Sequence, residues 1–163
     1  WCKGPSVMHS YFRDPESTAA CLVDGWLDTG DMGYMVDGYL FIVGRAKDMI
    51  IINGKNHWPQ DIEWAVEQLP GFHQGDIAAF SVEKDSGEEV PAVLVHCRVS
   101  DPAERVKLHD QIKDKVRSIP GMNCVVELVP PRTLPRTSSG KLSRAKAKKL
   151  YLSGEIAPFQ LAA

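Results

Sequence analysis

Two stretches of this chain repeat apolar residues at helical spacing, and each is opened by a proline and closed by a Pro-Gly pair, so the lengths of two helices are bounded at once. In the first, Ile62, Ala65, Val66 and Leu69 fall at i, i+3, i+4 and i+7. Pro59 suits its first turn, Asp61 and Glu63 complement the positive end of the dipole, and Pro70-Gly71 stops it. The second runs from Pro102 to about Ile119, with Leu108, Ile112, Val116 and Ile119 inward and Pro120-Gly121 as its stop. Between and around them lie strand-sized runs. Asp37-Gly38 separates Tyr34-Met35-Val36 from residues 39–43, a hairpin pattern, and an extended run over 49–52 follows. Residues 76–83 and 90–98 read as strands joined by the turn Asp85-Ser86-Gly87-Glu88, residues 125–129 as a third, and residues 142–152 as a basic helix.

That order predicts an α+β fold: a small domain with a short mixed sheet flanked by helices, covering residues 47–163. Residues 1–46, irregular and turn-rich up to about residue 25, look like the last β-strands of a larger N-terminal domain. The polar break Gly44-Arg45-Ala46-Lys47-Asp48 between two strands is a candidate hinge, near Lys47. The chain begins at Trp1 inside what reads as mid-domain sequence, so a fragment is expected.

A hydrophobic share of 44% suffices for a core, and no apolar run approaches the ~18 residues of a membrane span. With no charged-then-apolar leader, the expected location is the cytoplasm. Cys2, Cys21, Cys97 and Cys124 form no C-x-x-C pair and no paired Cys/His spacing, so packed free thiols are predicted and no metal site. Charge is unevenly spread. From residue 131 to 150 there are seven basic residues and no acid, leaving the remainder acidic. This marks a nucleic-acid or membrane surface, or a local site for an anionic substrate. No aromatic residue interrupts the basic stretch to stack a base, which counts against a nucleic-acid module.

Four stretches have the residue types for chemistry. In Pro135-Arg136-Thr137-Ser138-Ser139-Gly140-Lys141, small residues allow a tight backbone and the lysine offers a point charge to a phosphate or carboxylate. It is not a P-loop, since Arg136 stands where the first glycine is required. Asp31, in Asp28-Thr29-Gly30-Asp31, can accept the two hydroxyls of a ribose, and Arg45 can meet a ribose or phosphate. In Asn53-Gly54-Lys55-Asn56-His57-Trp58-Pro59, an exposed glycine lets a thin ligand follow the backbone, and His57 can be a base or packing. Taken singly, each reads first as a solvated loop, an ordinary turn or, for His57, packing.

Together, the order and spacing of these residues resemble the acyl-adenylate-forming superfamily of acyl-CoA synthetases, nonribosomal peptide adenylation domains, luciferases and fatty acyl-AMP ligases. Gly4-Pro5-Ser6-Val7-Met8 with Tyr11-Phe12 comes first, then Trp26-Leu27-Asp28-Thr29-Gly30-Asp31 and Gly44-Arg45-Ala46-Lys47-Asp48-Met49-Ile50. Gly54-Lys55-Asn56, Pro59, Ile62-Glu63 and Pro135-Arg136-Thr137 through Gly140-Lys141-Leu142 follow. Ser10 departs from the glycine more often found before the aromatic pair. Residues 54–63, 138–142 and 151–156 look most like the fatty acyl-AMP ligases.

The resemblance implies an enzyme that activates a fatty acid with ATP and Mg²⁺ to acyl-AMP and pyrophosphate, then passes the acyl group to an acyl carrier protein or to coenzyme A. It implies ribose binding by Asp31 with help from Arg45, a hinge at Lys47, Lys141 as the catalytic lysine, and Gly54, Lys55 and Asn56 beside the phosphopantetheine tunnel. The Mg²⁺ ligand and most of the active site are implied for a large N-terminal domain outside this chain, and the piece alone is expected to be inactive. An acyl-CoA synthetase, a nucleotide-binding regulatory domain and a basic nucleic-acid-binding module are the alternatives.

Overall fold

The computed structural model describes residues 1–84, 87–119 and 122–161. The expected turn residues Asp85 and Ser86 and the expected stop Pro120-Gly121 lie outside them. The chain divides into two units, Trp1–Lys47 and Asp48–Ala163.

The first unit holds α1 (Pro15–Cys21), the strand pair β1 (Leu22–Val23) and β2 (Trp26–Leu27), and the hairpin β3 (Asp31–Val36) and β4 (Tyr39–Arg45). Helix α1 falls where irregular chain was expected. Asp14-Pro15, read as turn punctuation, is a helix start: the Asp14 carboxylate accepts the Ser17 N–H at 2.9 Å, and Pro15 opens the first turn. In the β3–β4 hairpin, Asp37 and Gly38 both have positive φ, and Val36 pairs with Tyr39, as the Asp-Gly pattern predicts. The ladder is longer than expected, running back to an Asp31–Arg45 pair through a bulge at Met32/Gly33. Gly44 and Arg45 are therefore strand residues, and the polar break shrinks to a 3-10 turn, Ala46–Asp48. Every residue of β3 is exposed, as are Tyr39, Leu40, Phe41 and Ile42 of β4.

The second unit is built on a mixed sheet, β7–β8–β9: β7 (Ile77–Glu83) antiparallel to β8 (Glu89–His96), and β8 parallel to β9 (Val125–Val129). The parallel step needs a crossover, and α3 (Pro102–Arg117) supplies it. Central strand β8 is buried from Val90 to His96, which explains why its sequence is an apolar run rather than an alternation. One face of the sheet (Ile77, Ala79, Val93, Val95) packs with Ile50 and Ile52 of β5 (Ile50–Ile52), Ile62 and Val66 of α2 (Pro59–Glu67), and Ile112 and Val116 of α3. Leu69, Leu108 and Ile119 pack at its margin. The other face (Ala78, Phe80, Ala92, Leu94) packs with Leu134, Ala147 of α4 (Arg144–Leu152) and Ile156.

Lys55–His57 is not loop but β6, paired antiparallel with β5 through an Asn53-Gly54 turn in which both residues have positive φ. Cys97 and Cys124 are buried free thiols, whereas Cys2 is exposed rather than packed.

Leu94 is fully buried in the layer beneath α4. Leu94→Ala is expected to cost about 2–5 kcal/mol of stability, measured by urea unfolding of the chain.

Candidate functional site

In the first unit, the β3–β4 ladder sets Asp31 opposite Arg45, and Arg45 Nε lies 3.4 Å from Asp31 Oδ1. The approach to Asp31 is stiffened locally. The Gly30 N–H donates to the Asp28 carboxylate at 2.8 Å, the Asp31 N–H to Thr29 Oγ1 at 3.1 Å, and the Ala46 N–H to the Gly30 carbonyl at 2.9 Å. Asp31 keeps 34% of its side chain in solvent, so a carboxylate held by one cation still has room for a ligand's hydroxyls. Lys47 ends this unit, within the Ala46–Asp48 turn.

In the second unit, Gly54 sits at the tip of the β5–β6 hairpin, and a Cβ placed there would meet nothing within 4 Å. Positive φ, not crowding, demands glycine here, and the backbone lies open. Lys55 and Asn56 follow on β6, both exposed.

Lys141 closes a small ring of hydrogen bonds. The Thr137 N–H donates to the Lys141 carbonyl at 2.7 Å, the Lys141 N–H to Thr137 Oγ1 at 3.2 Å, and the Gly140 N–H to the Thr137 carbonyl at 2.9 Å. The Arg136 guanidinium holds the ring from outside, donating to the Gly140 carbonyl at 3.0 Å and the Gly75 carbonyl at 3.1 Å. Gly75 has a φ of +82°, which favours glycine, and a Cβ there would stand 2.9 Å from Arg136 Nη2, so the guanidinium would have to shift. The lysine side chain itself is exposed. The ring thus fixes a backbone that presents an ammonium group.

Arg136 also lines a cavity of about 710 Å³ with Asp76, His96, Arg98, Arg132 and Leu134. Arg98 donates to both carboxylate oxygens of buried Asp76, at 2.7 and 2.9 Å. The Leu134 N–H donates to His96 Nε2 at 3.0 Å, which leaves Nδ1, 3.5 Å from Asp76, to carry the proton of a neutral ring. Burial lowers the His96 value despite Asp76. For Asp76, burial opposes ionisation, but the Arg98 hydrogen bonds, the His73 N–H and the Arg98 charge outweigh it and hold the carboxyl well below the usual range.

Among the described residues, no three His, Cys, Asp or Glu side chains cluster to hold a metal ion, and no helix is long and apolar enough to cross a membrane.

A Caulobacter vibrioides protein named as an acyl-CoA synthetase is 49% identical over 156 residues, 94% of this chain and 27% of its own length. A long-chain fatty-acid–AMP ligase of Mycobacterium tuberculosis is 36% identical over 171 residues, 94% of this chain and 29% of its own. Among solved structures, one from a study of fatty acyl-adenylate ligases of E. coli and L. pneumophila superposes with a TM-score of 0.81 at 44% identity, over 94% of this chain and 27% of that one. The chain belongs to the acyl-adenylate-forming superfamily. It is a small α+β C-terminal piece of this enzyme family, spanning under a third of the length of the relatives it matches. The structure of McyG A-PCP complexed with phenylalanyl-adenylate matches with a TM-score of 0.85 at 30% identity, over 94% of this chain and 24% of that one. No family model matches the chain.

Within this superfamily member, Asp31 and Arg45 meet in one unit, while Gly54 and Lys141 occupy two separate loops of the other. Sequence reasoning missed the Asp76–His96–Arg98 group, which carries no periodic mark. It also missed Glu63 as anything but a dipole residue. The mark existed: Glu63 adjoins Ile62 on the buried side of α2, where a charge needs a partner.

Because the folded-state value of Asp76 lies below its unfolded one, its stabilisation is complete above about pH 4 and fades as pH falls further. Asp76→Asn is therefore expected to lower the urea midpoint at pH 7, with the gap to the parent narrowing toward pH 3. A gap that stays constant across that range contradicts the assignment.

Proposed function

We propose that this chain is the C-terminal part of a ligase that activates a fatty acid with ATP and passes the acyl group to a phosphopantetheine thiol, with an acyl carrier protein favoured over coenzyme A as acceptor. The observation that carries the reading is Lys141, an exposed ammonium at the end of a hydrogen-bonded ring, in a chain of an acyl-adenylate-forming family.

The first half-reaction brings two anions together. A carboxylate oxygen attacks the α-phosphorus of ATP, the bond to the β-phosphate oxygen breaks, and acyl-AMP and pyrophosphate form. Lys141 spans the carboxylate and the α-phosphate and offsets the charge that builds on the phosphorus oxygens. Asp31 accepts the ribose hydroxyls. Arg45, its Nε 3.4 Å from the Asp31 carboxylate, lies beside the ribose. Mg²⁺ supplies further charge neutralisation on the phosphates. We assign its ligands, with the acyl pocket, to the part of the protein outside this chain.

In the second half-reaction, the thiolate attacks the acyl carbonyl and AMP leaves. The open backbone at Gly54, with Lys55 and Asn56 beyond it, fits a thin pantetheine arm. A turn of residues 48–161 about Lys47 exchanges the Lys141 loop for the Gly54 hairpin at one reaction centre. The same reading gives the exposed apolar strands β3 and β4 a role, as surface covered by the remainder of a cytoplasmic enzyme. Two points favour the carrier protein: the likeness of residues 54–63 to fatty acyl-AMP ligases, and a relative named as one.

In the full-length protein, Lys141→Ala is expected to slow pyrophosphate release by about 10²–10³-fold. Thiol transfer from preformed acyl adenylate is expected to survive. An unchanged adenylation rate would remove Lys141 from the chemistry. The isolated chain is expected to release no pyrophosphate from ATP and fatty acid.

A further inference from the structure

Arg144 makes more contacts than a member of a basic, solvated helix should. Its Nε donates to Glu63 Oε1 at 2.7 Å and its Nη2 to Glu63 Oε2, a two-pronged pair, while its Nη1 lies 3.6 Å from Asp48 Oδ2. All three side chains are largely buried, with 19% of Arg144, 9% of Glu63 and 16% of Asp48 exposed. Glu63 Oε1 also accepts the Ala79 N–H, at 3.0 Å. Ala79 lies on β7, an edge of the sheet, so this carboxylate satisfies a backbone donor that a neighbouring strand would otherwise take.

The positions of the three residues give the cluster its meaning. Asp48 is the first residue of the second unit, directly after Lys47. Glu63 lies on α2, which packs against β7. Arg144 opens α4, three residues beyond Lys141, and between them Leu142 pairs back to Arg136 at the base of the ring.

We propose that Asp48, Arg144 and Glu63 form a strut that ties the hinge end of the second unit to the loop carrying Lys141, so that rotation at Lys47 delivers the lysine at a fixed position. The inference rests on the function proposed for Lys141 and Lys47. Arg144 and Asp48 are positioning residues, acting through the loop and touching no substrate. Guanidinium suits the task because its planar fork fixes direction as well as distance, which a lysine ammonium does not. Placement matters because a misplacement of about 1 Å can slow a reaction by about a hundredfold.

The test uses the full-length protein, with adenylation read as pyrophosphate release and thiol transfer as the decay of preformed acyl adenylate. Asp48→Asn keeps the buried Glu63–Arg144 pair and removes only the charge facing Arg144. It is expected to lower kcat for adenylation by about tenfold, with KM for ATP and thiol transfer within about twofold of the parent and Tm unchanged. Arg144→Lys is expected to lower adenylation further. Adding Asp48→Asn to it is expected to have little additional effect, because the contact is already gone. Normal adenylation in Asp48→Asn, fully additive effects in the pair, or equal slowing of both half-reactions with a fall in Tm would each overturn the strut. Lys141→Ala, measured alongside, separates the failures. A slow Lys141→Ala enzyme with a normal Asp48→Asn enzyme overturns the strut alone, and a normal Lys141→Ala enzyme overturns the catalytic assignment together with the strut.

Discussion

The second unit is organised around a carboxylate taken out of water. Glu63 is buried on α2, and burial pushes its carboxyl upward against the downward pull of the Arg144 hydrogen bonds and charge and the Ala79 N–H. Such a pair is a weak source of net stability, yet removing one partner strands the other and costs about 3–5 kcal/mol. Its consequence is geometric. Helices α2 and α4 pack on opposite faces of the sheet, and the Glu63–Arg144 pair joins them past the β7 edge. Arg144 opens α4 at that junction, three residues beyond Lys141, while Arg136 ties the preceding ring to Gly75.

The two hydrophobic layers serve the same end. Leu134, Ala147 and Ile156 press the chain on both sides of the Lys141 loop against Ala78, Ala92 and Leu94. Phe80 and Tyr151 meet with ring centroids 6.0 Å apart at the far end of α4. Under the function proposed for Lys141, a backbone fixed in this way limits where its ammonium can go. Preorganisation makes transition-state donors effective, because no reorganisation is left for the moment of reaction.

Much of this was legible in the sequence, for identifiable reasons. Helices α2 and α3 declared themselves through 3.6-residue periodicity between proline starts, and the β3–β4 turn through Asp37-Gly38. Ile112 and Val116, placed inward by that periodicity, are fully buried. Strand β6 was not legible: Lys55-Asn56-His57 has no strand preference and is extended only because Asn53-Gly54 folds it back on β5. Helix α1, seven residues long, was too short to show a period. Charge composition pointed to the basic stretch but could not tell its members apart. Arg136 donates to two backbone carbonyls and Arg144 to a buried carboxylate, while Lys141 has an exposed side chain. Which cation does which depends on partners 61 and 81 positions away in the chain, at Gly75 and Glu63.

The central claim is that this chain completes an enzyme forming an acyl adenylate and handing it to a thiol. The direct measurement incubates the full-length protein with ATP, Mg²⁺ and a panel of fatty acids, with either coenzyme A or a phosphopantetheinylated carrier protein, and identifies products by mass. The account predicts acyl adenylate that persists in the presence of coenzyme A and is transferred to the carrier. Efficient acyl-CoA formation would contradict the preference for a carrier, and the absence of adenylate with every acid tried would contradict the claim itself.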